Sequence, residues 1–163
     1  MAGRIWGLSY EQLWGEGKET PLPCPIHMDE ALPAMRQETG LDIKPAGMIA
    51  LSSREIMQYF GTEYVRAAQD CYWIEKLKAD VRCGGDVLVP DTRFPNEADA
   101  IRSMGGKILK IVRVDFMESG KDKHASEQGQ ASIVPDVVIY TRTGDLSNAT
   151  AIAKAVIAGF FYP

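Results

Sequence analysis

The chain has 163 residues, 45% of them apolar and 25% charged, with a formal net charge of −4 and a pI near 5.2. That length predicts one domain spanning residues 1–163 with a real hydrophobic core, and the composition is that of an ordinary globular chain. The acidic balance argues against a binder of nucleic-acid polymers, which needs a basic face, but leaves room for a local pocket that takes a small phosphorylated ligand.

Residues 1–50 read as irregular, because Pro21, Pro23, Pro25, Pro33 and Pro45 interrupt any long helix. Two short amphipathic pieces are predicted there, Tyr10 to Trp14 and around Ala31 to Glu38. Cys24 and His27 have ligand-like spacing, but no second pair follows, and a Pro-rich loop accounts for them. Ser52-Ser53-Arg54-Glu55 predicts a capping box, with a helix behind it that Gly61 stops. A further helix is expected from about Tyr64 to Arg82, broken near Asp70 and ended by Gly84-Gly85. Alternation of strand and helix follows: strand Val87 to Val89, helix Glu97 to Met104 capped by Asn96 and closed by Gly105-Gly106, and strand Ile108 to Val114. A polar stretch from Asp115 to Ser132 comes next, then strand Val137 to Tyr140 and helix Ser147 to Ala158. Strands separated by helices predict an α/β fold with a parallel sheet in three layers.

Cys24, Cys71 and Cys83 are odd in number and widely spaced, which implies no disulfide framework and points to a reducing cytosol. There is no secretory signal and no apolar run long enough for a bilayer, so no membrane partner is expected.

In an open parallel sheet ligands gather at the carboxyl ends of strands, where Asp91 and Arg93 are predicted to stand. Asp91 offers a hard oxygen for Mg²⁺, and Arg93 offers a guanidinium fork for phosphate. The alternative, that Asp91 caps a turn while Arg93 pairs with Glu97, is equally open at this point. Arg54 and Gln58 lie four apart on one helix face, and Arg66 and Trp73 follow. A guanidinium, a carboxamide and an indole suit the phosphate, base edge and base plane of a nucleoside monophosphate, although an indole such as Trp73 is more often part of a core. Arg54 in a first helical turn opposes the helix dipole, which favours an anion beside it.

The ordered series Ser53-Arg54-Glu55-Ile56-Met57-Gln58, Gly61-Thr62-Glu63, Arg66, Trp73 and Val89-Pro90-Asp91-Thr92-Arg93-Phe94-Pro95-Asn96-Glu97-Ala98 resembles the deoxynucleoside monophosphate (dNMP) kinases of tailed bacteriophages. The resemblance continues through Gly105-Gly106, Val112-Arg113, His124-Ala125-Ser126-Glu127 and Gly144-Asp145-Leu146, and extends back to Trp6-Gly7-Leu8-Ser9. It implies a P-loop kinase fold and transfer of the γ-phosphoryl group of ATP to a dNMP with Mg²⁺, in the host cytoplasm if the chain is phage-encoded. It also implies that Arg54, Gln58, Arg66 and Trp73 bind the monophosphate, while Asp91 and Arg93 lie near the reacting phosphates as catalytic groups, with Asp91 toward Mg²⁺. Residues 115–132, with Lys121, Lys123 and His124, would be the lid.

The phosphate loop of such kinases has no counterpart in this sequence. Gly17-Lys18 is followed by Glu19 and has Gln12 at the place of the first glycine. Ser119-Gly120-Lys121-Asp122 comes closer, but Asp115 stands where a glycine is needed, and a carboxylate there would repel phosphate. By resemblance the fold therefore lacks its first strand, phosphate loop and first helix, roughly 30 residues of a βαβ unit. The expected consequences are a sheet closed on itself, a strand recruited from a second copy or another chain, or a fragment of a longer protein. Three functional readings follow: a nucleotide-binding homologue without catalysis, a kinase whose phosphate loop is supplied from elsewhere, or a non-enzymatic interaction protein on a kinase scaffold.

Overall fold

A computed structural model describes residues 1–82, 86–115 and 130–161. They form a mixed α/β structure that divides into two compact units, Met1–Asp86 and Val87–Pro163.

The first unit opens with two short helices, α1 (Ala2–Trp6) and α2 (Tyr10–Trp14). Ser9 and Gln12 cap α2 reciprocally: the Ser9 hydroxyl accepts from the Gln12 N–H, and the Gln12 side chain accepts from the Ser9 N–H. After a 3₁₀ turn comes β1 (Pro21–His27), which pairs antiparallel with β2 (Ile49–Ser52) across an irregular register. The Pro-rich stretch is thus a strand and not a loop. Its prolines are tolerated because a two-stranded sheet consists of edges only, where a missing N–H need not break a ladder. Between the strands lies α3 (Leu32–Thr39), closed by Gly40 in the left-handed region, φ +74°.

A continuous helix then occupies residues 53–68: α4 (Ser53–Tyr59), a π-helical segment Phe60–Arg66, and a final α-turn. Gly61 does not stop it. The chain widens into i→i+5 bonding there, and glycine accepts that conformation without a side-chain clash. The expected capping box is half made. Ser52 Oγ accepts from the Glu55 N–H, whereas the Glu55 carboxylate reaches past it to the Leu51 N–H at 2.6 Å. The helix breaks at residues 69–71, as expected near Asp70, and α5 (Tyr72–Val81) follows. The expected stop at Gly84-Gly85 lies outside the described residues.

The core of this unit is Met28, Leu32, Met35, Ile43, Ala50, Ile56, Phe60, Tyr64, Val65 and Tyr72. Phe60 sits edge-on between Trp6 and Trp73, at centroid distances of 5.5 and 6.2 Å.

The second unit holds α6 (Pro95–Ser103), β3 (Leu109–Arg113), β4 (Val137–Thr141) and α7 (Leu146–Phe161). The first helical residue is Pro95, not Glu97. Proline suits the first helical position because its missing N–H would have no partner there. Gly105 adopts φ +85° beyond the helix, and a Cβ on Gly106 would come within 2.6 Å of Ile101 Cγ2. Both positions need glycine for the sharp turn into β3.

β3 and β4 run parallel in the register Leu109↔Val137 through Arg113↔Thr141. Asp136 ties their entries together: its carboxylate accepts from the Ile108 N–H at 2.8 Å, and its own N–H donates to the Ile108 carbonyl at 2.8 Å. The predicted strand Val87–Val89 is not formed. A strand exists through its ladder, and these residues join none among the described residues. No helix among the described residues is long and apolar enough to cross a membrane.

Candidate functional site

In the first unit, Arg54 and Gln58 stand one turn apart near the start of helix 53–68. The Arg54 guanidinium forms an exposed ion pair with Glu19. The half-buried Gln58 carboxamide makes no side-chain hydrogen bond among the described residues. Arg66 was expected on a separate helix, but it closes the π segment of this same one. Its nearly buried side chain pairs with Asp70 at 2.7 Å. Twelve residues at the α-helical rise place the Arg54 and Arg66 backbones up to about 18 Å apart along the axis. They therefore mark opposite ends of one helix.

Trp73, on α5, is tied to that helix from the side. Its indole N–H donates to the Gly61 carbonyl at 3.1 Å, and its ring stands edge-on to Phe60 and to Tyr72. The structure thus gathers Arg54, Gln58, Arg66 and Trp73 on one helix and its immediate neighbour.

In the second unit, Asp91 and Arg93 pair with each other at 2.7 Å. Glu97 does not take the role expected of it as partner to the Arg93 side chain alone. Its carboxylate accepts from the backbone N–H groups of Arg93 and Phe94, at 3.0 and 3.1 Å, and so closes the N-terminus of α6. Asp91 is one carboxylate with an exposed side chain, and no group of three His, Cys, Asp or Glu residues suited to a metal occurs among the described residues. Such a site could hold Mg²⁺ only together with substrate phosphates and water, which is how that ion is commonly held. Lys121, Lys123 and His124 of the expected lid lie outside the described residues. Asp115, at the end of β3, accepts from the Thr143 N–H at 2.9 Å, and these hydrogen bonds hold its carboxyl below the usual range.

Two features were missed in the sequence. Asp29 is a hub: its carboxylate accepts from the Tyr64 hydroxyl at 2.6 Å and from the N–H groups of Ala46 and Gly47, each at 3.0 Å. The Tyr64 bond, the largest cause, and the two backbone bonds hold the Asp29 carboxyl below its ordinary value. Burial, then the hydrogen bond to Asp29, pushes the Tyr64 hydroxyl up to about 12. Beside this hub, a cavity of about 270 Å³ opens between the loop at Lys44, Pro45 and Ala46 and the helix at Glu63, Tyr64 and Ala67. No local pattern announces either feature, because the partners lie 17 to 35 residues apart.

The family model for deoxynucleotide monophosphate kinase matches residues 36–150, which carry every candidate residue named above in both units except Asp29 and Glu19. The chain belongs to this family. The deoxynucleotide monophosphate kinase of Enterobacteria phage T4 is 35% identical over 101 residues, covering 58% of this chain and 41% of that protein. The chain therefore spans less than half the length of that relative. No solved structure matches this chain.

Proposed function

We propose that this dNMP-kinase-family chain supplies the monophosphate-binding side of a phosphoryl transfer from ATP to a dNMP, with the triphosphate-holding loop supplied by polypeptide beyond these 163 residues. The observation that carries this reading is the family match over residues 36–150. It takes in Arg54, Gln58, Arg66, Trp73, Asp91 and Arg93, in a sequence that has no Gly-x-x-x-x-Gly-Lys motif.

In this reading a dNMP lies along helix 53–68. Arg54 exchanges its exposed contact with Glu19 for the phosphate. That exchange costs little, because an exposed ion pair is worth about 0–1 kcal/mol. Gln58 meets the sugar or a base edge one turn further on. Arg66 and Trp73 bound the far end, where the indole, fixed by its bond to Gly61, offers a rigid ring.

Asp91 and Arg93 serve the transferring group. A guanidinium beside the phosphoryl oxygens stabilises the charge that spreads over them, and a strand-end carboxylate suits Mg²⁺. That ion, when bound with ATP, neutralises phosphate charge. Lys121, Lys123 and His124 would close over the site as its lid. The expected setting is the cytoplasm of a bacterial host.

Isothermal titration with the four dNMPs, with and without ATP–Mg²⁺, tests this reading. The chain alone should bind a dNMP and turn over none, and Arg54→Ala and Arg93→Ala should each weaken binding at least about tenfold. Unchanged affinity in folded variants, or no affinity for any dNMP, overturns it.

A further inference from the structure

The second unit leaves apolar backbone unmatched in two places that complement each other. β3 pairs with β4 on one side, and its other edge meets no strand among the described residues. Parallel strands are almost always covered on both faces, and an open edge is a template for another strand. Ile111 shares a face with the buried Ile139 yet is itself 59% exposed. The other place is Val87-Leu88-Val89, three strand-forming or apolar residues that join no ladder, with Leu88 81% exposed. Charge matches as well. Exposed Asp86 and Asp91 bracket that triplet, and exposed Lys110 lies midway along β3 and enters no ion pair among the described residues.

We propose that β3 takes residues Val87–Val89 of a second copy as its next strand, so that two copies exchange these segments reciprocally. Donor and acceptor occur in every copy, which is the condition for a closed two-fold exchange. Within one chain the two segments do not join, although α6 gives a connection long enough for a βαβ crossover. Leu88 then covers Ile111, and Asp86 approaches Lys110 of the partner. The exchange is independent of nucleotide binding.

Analytical ultracentrifugation of the full chain from about 1 to about 200 µM tests this. The mass should rise from 18.0 kDa toward twice that value. Leu88→Asp disables the donor and Ile111→Lys the acceptor, and each should weaken dimerisation at least about tenfold. Both side chains are exposed, so the variants should keep the far-ultraviolet dichroism of the parent. Mixing the two variants restores one intact exchange, and dimer should reappear in the mixture. A mass of 18.0 kDa throughout, a dimer equally tight in both variants, or no recovery on mixing overturns the proposal.

Discussion

The two units spend their apolar residues differently. The first gathers ten buried side chains into one core and leaves four large hydrophobics exposed: Tyr10, Trp14, Ile49 and Leu51. The second buries Ala98, Ala100, Ile108 and Ile139 and leaves eleven exposed among the described residues, from Val87 to Ile157. The first unit is held by side chains that touch across long sequence distances. The second is held chiefly by a two-stranded ladder and the turns at its ends. A three-layer α/β architecture needs cover on both faces of its sheet. The second unit therefore has the sequence pattern of such a sheet without its full width.

Tryptophan fluorescence makes this contrast measurable, because Trp6, Trp14 and Trp73 all lie in the first unit. The largest effect is expected at Phe60, which is buried between two indole rings. Phe60→Ala should cost about 3–5 kcal/mol in the urea transition followed by fluorescence. A loss below about 1 kcal/mol would mean that the first unit is not organised around this cluster.

The next effect belongs to the polar hub. Asp29→Ala leaves the Tyr64 hydroxyl and the Ala46 and Gly47 N–H groups without their acceptor, at a cost of about 1–3 kcal/mol in the same transition. The pH dependence follows from the two shifts. The Asp29 carboxyl titrates lower in the folded state, so its contribution is complete above the ordinary value near 3.9. It is lost as pH falls through the depressed folded value. Tyr64 titrates higher, so its contribution is complete below the ordinary value near 10 and is lost as pH rises through about 12. Asp29→Asn should flatten the acid limb of the stability profile between about pH 4 and pH 2 and leave the plateau above pH 5 level. A parent profile that is already flat there would remove Asp29 from the account.

Local pattern made part of this fold legible. Tyr10 to Trp14, Ile108 to Val114 and Val137 to Tyr140 were readable because capping residues and apolar runs act on near neighbours, and α2, β3 and β4 lie where that reading put them. β1 was not readable, since Pro21, Pro23 and Pro25 oppose the strand that β2 nonetheless pairs with. Gly61 misled for a similar reason: a glycine that often ends helices here sits inside one, where the π segment meets the Trp73 indole. Of the candidate site, the ordered motif told which side chains to watch but not that Arg54 would rest against Glu19, 35 residues earlier. The Asp29 hub was invisible altogether, because an aspartate becomes a hub only when distant backbone reaches it.

The smallest effect isolates the second unit. Glu97 closes the α6 N-terminus by accepting from the Arg93 and Phe94 N–H groups, a capping role worth about 1 kcal/mol. Glu97→Ala should lower stability by that amount in far-ultraviolet dichroism, which reports helices in both units. The fluorescence transition, which reports the first unit alone, should stay in place. The separation matters for the site as well, because those two N–H groups fix the backbone from which the Arg93 guanidinium projects toward Asp91. If both transitions move together, the units unfold as one cooperative body, and the contrast between them is one of packing and not of stability.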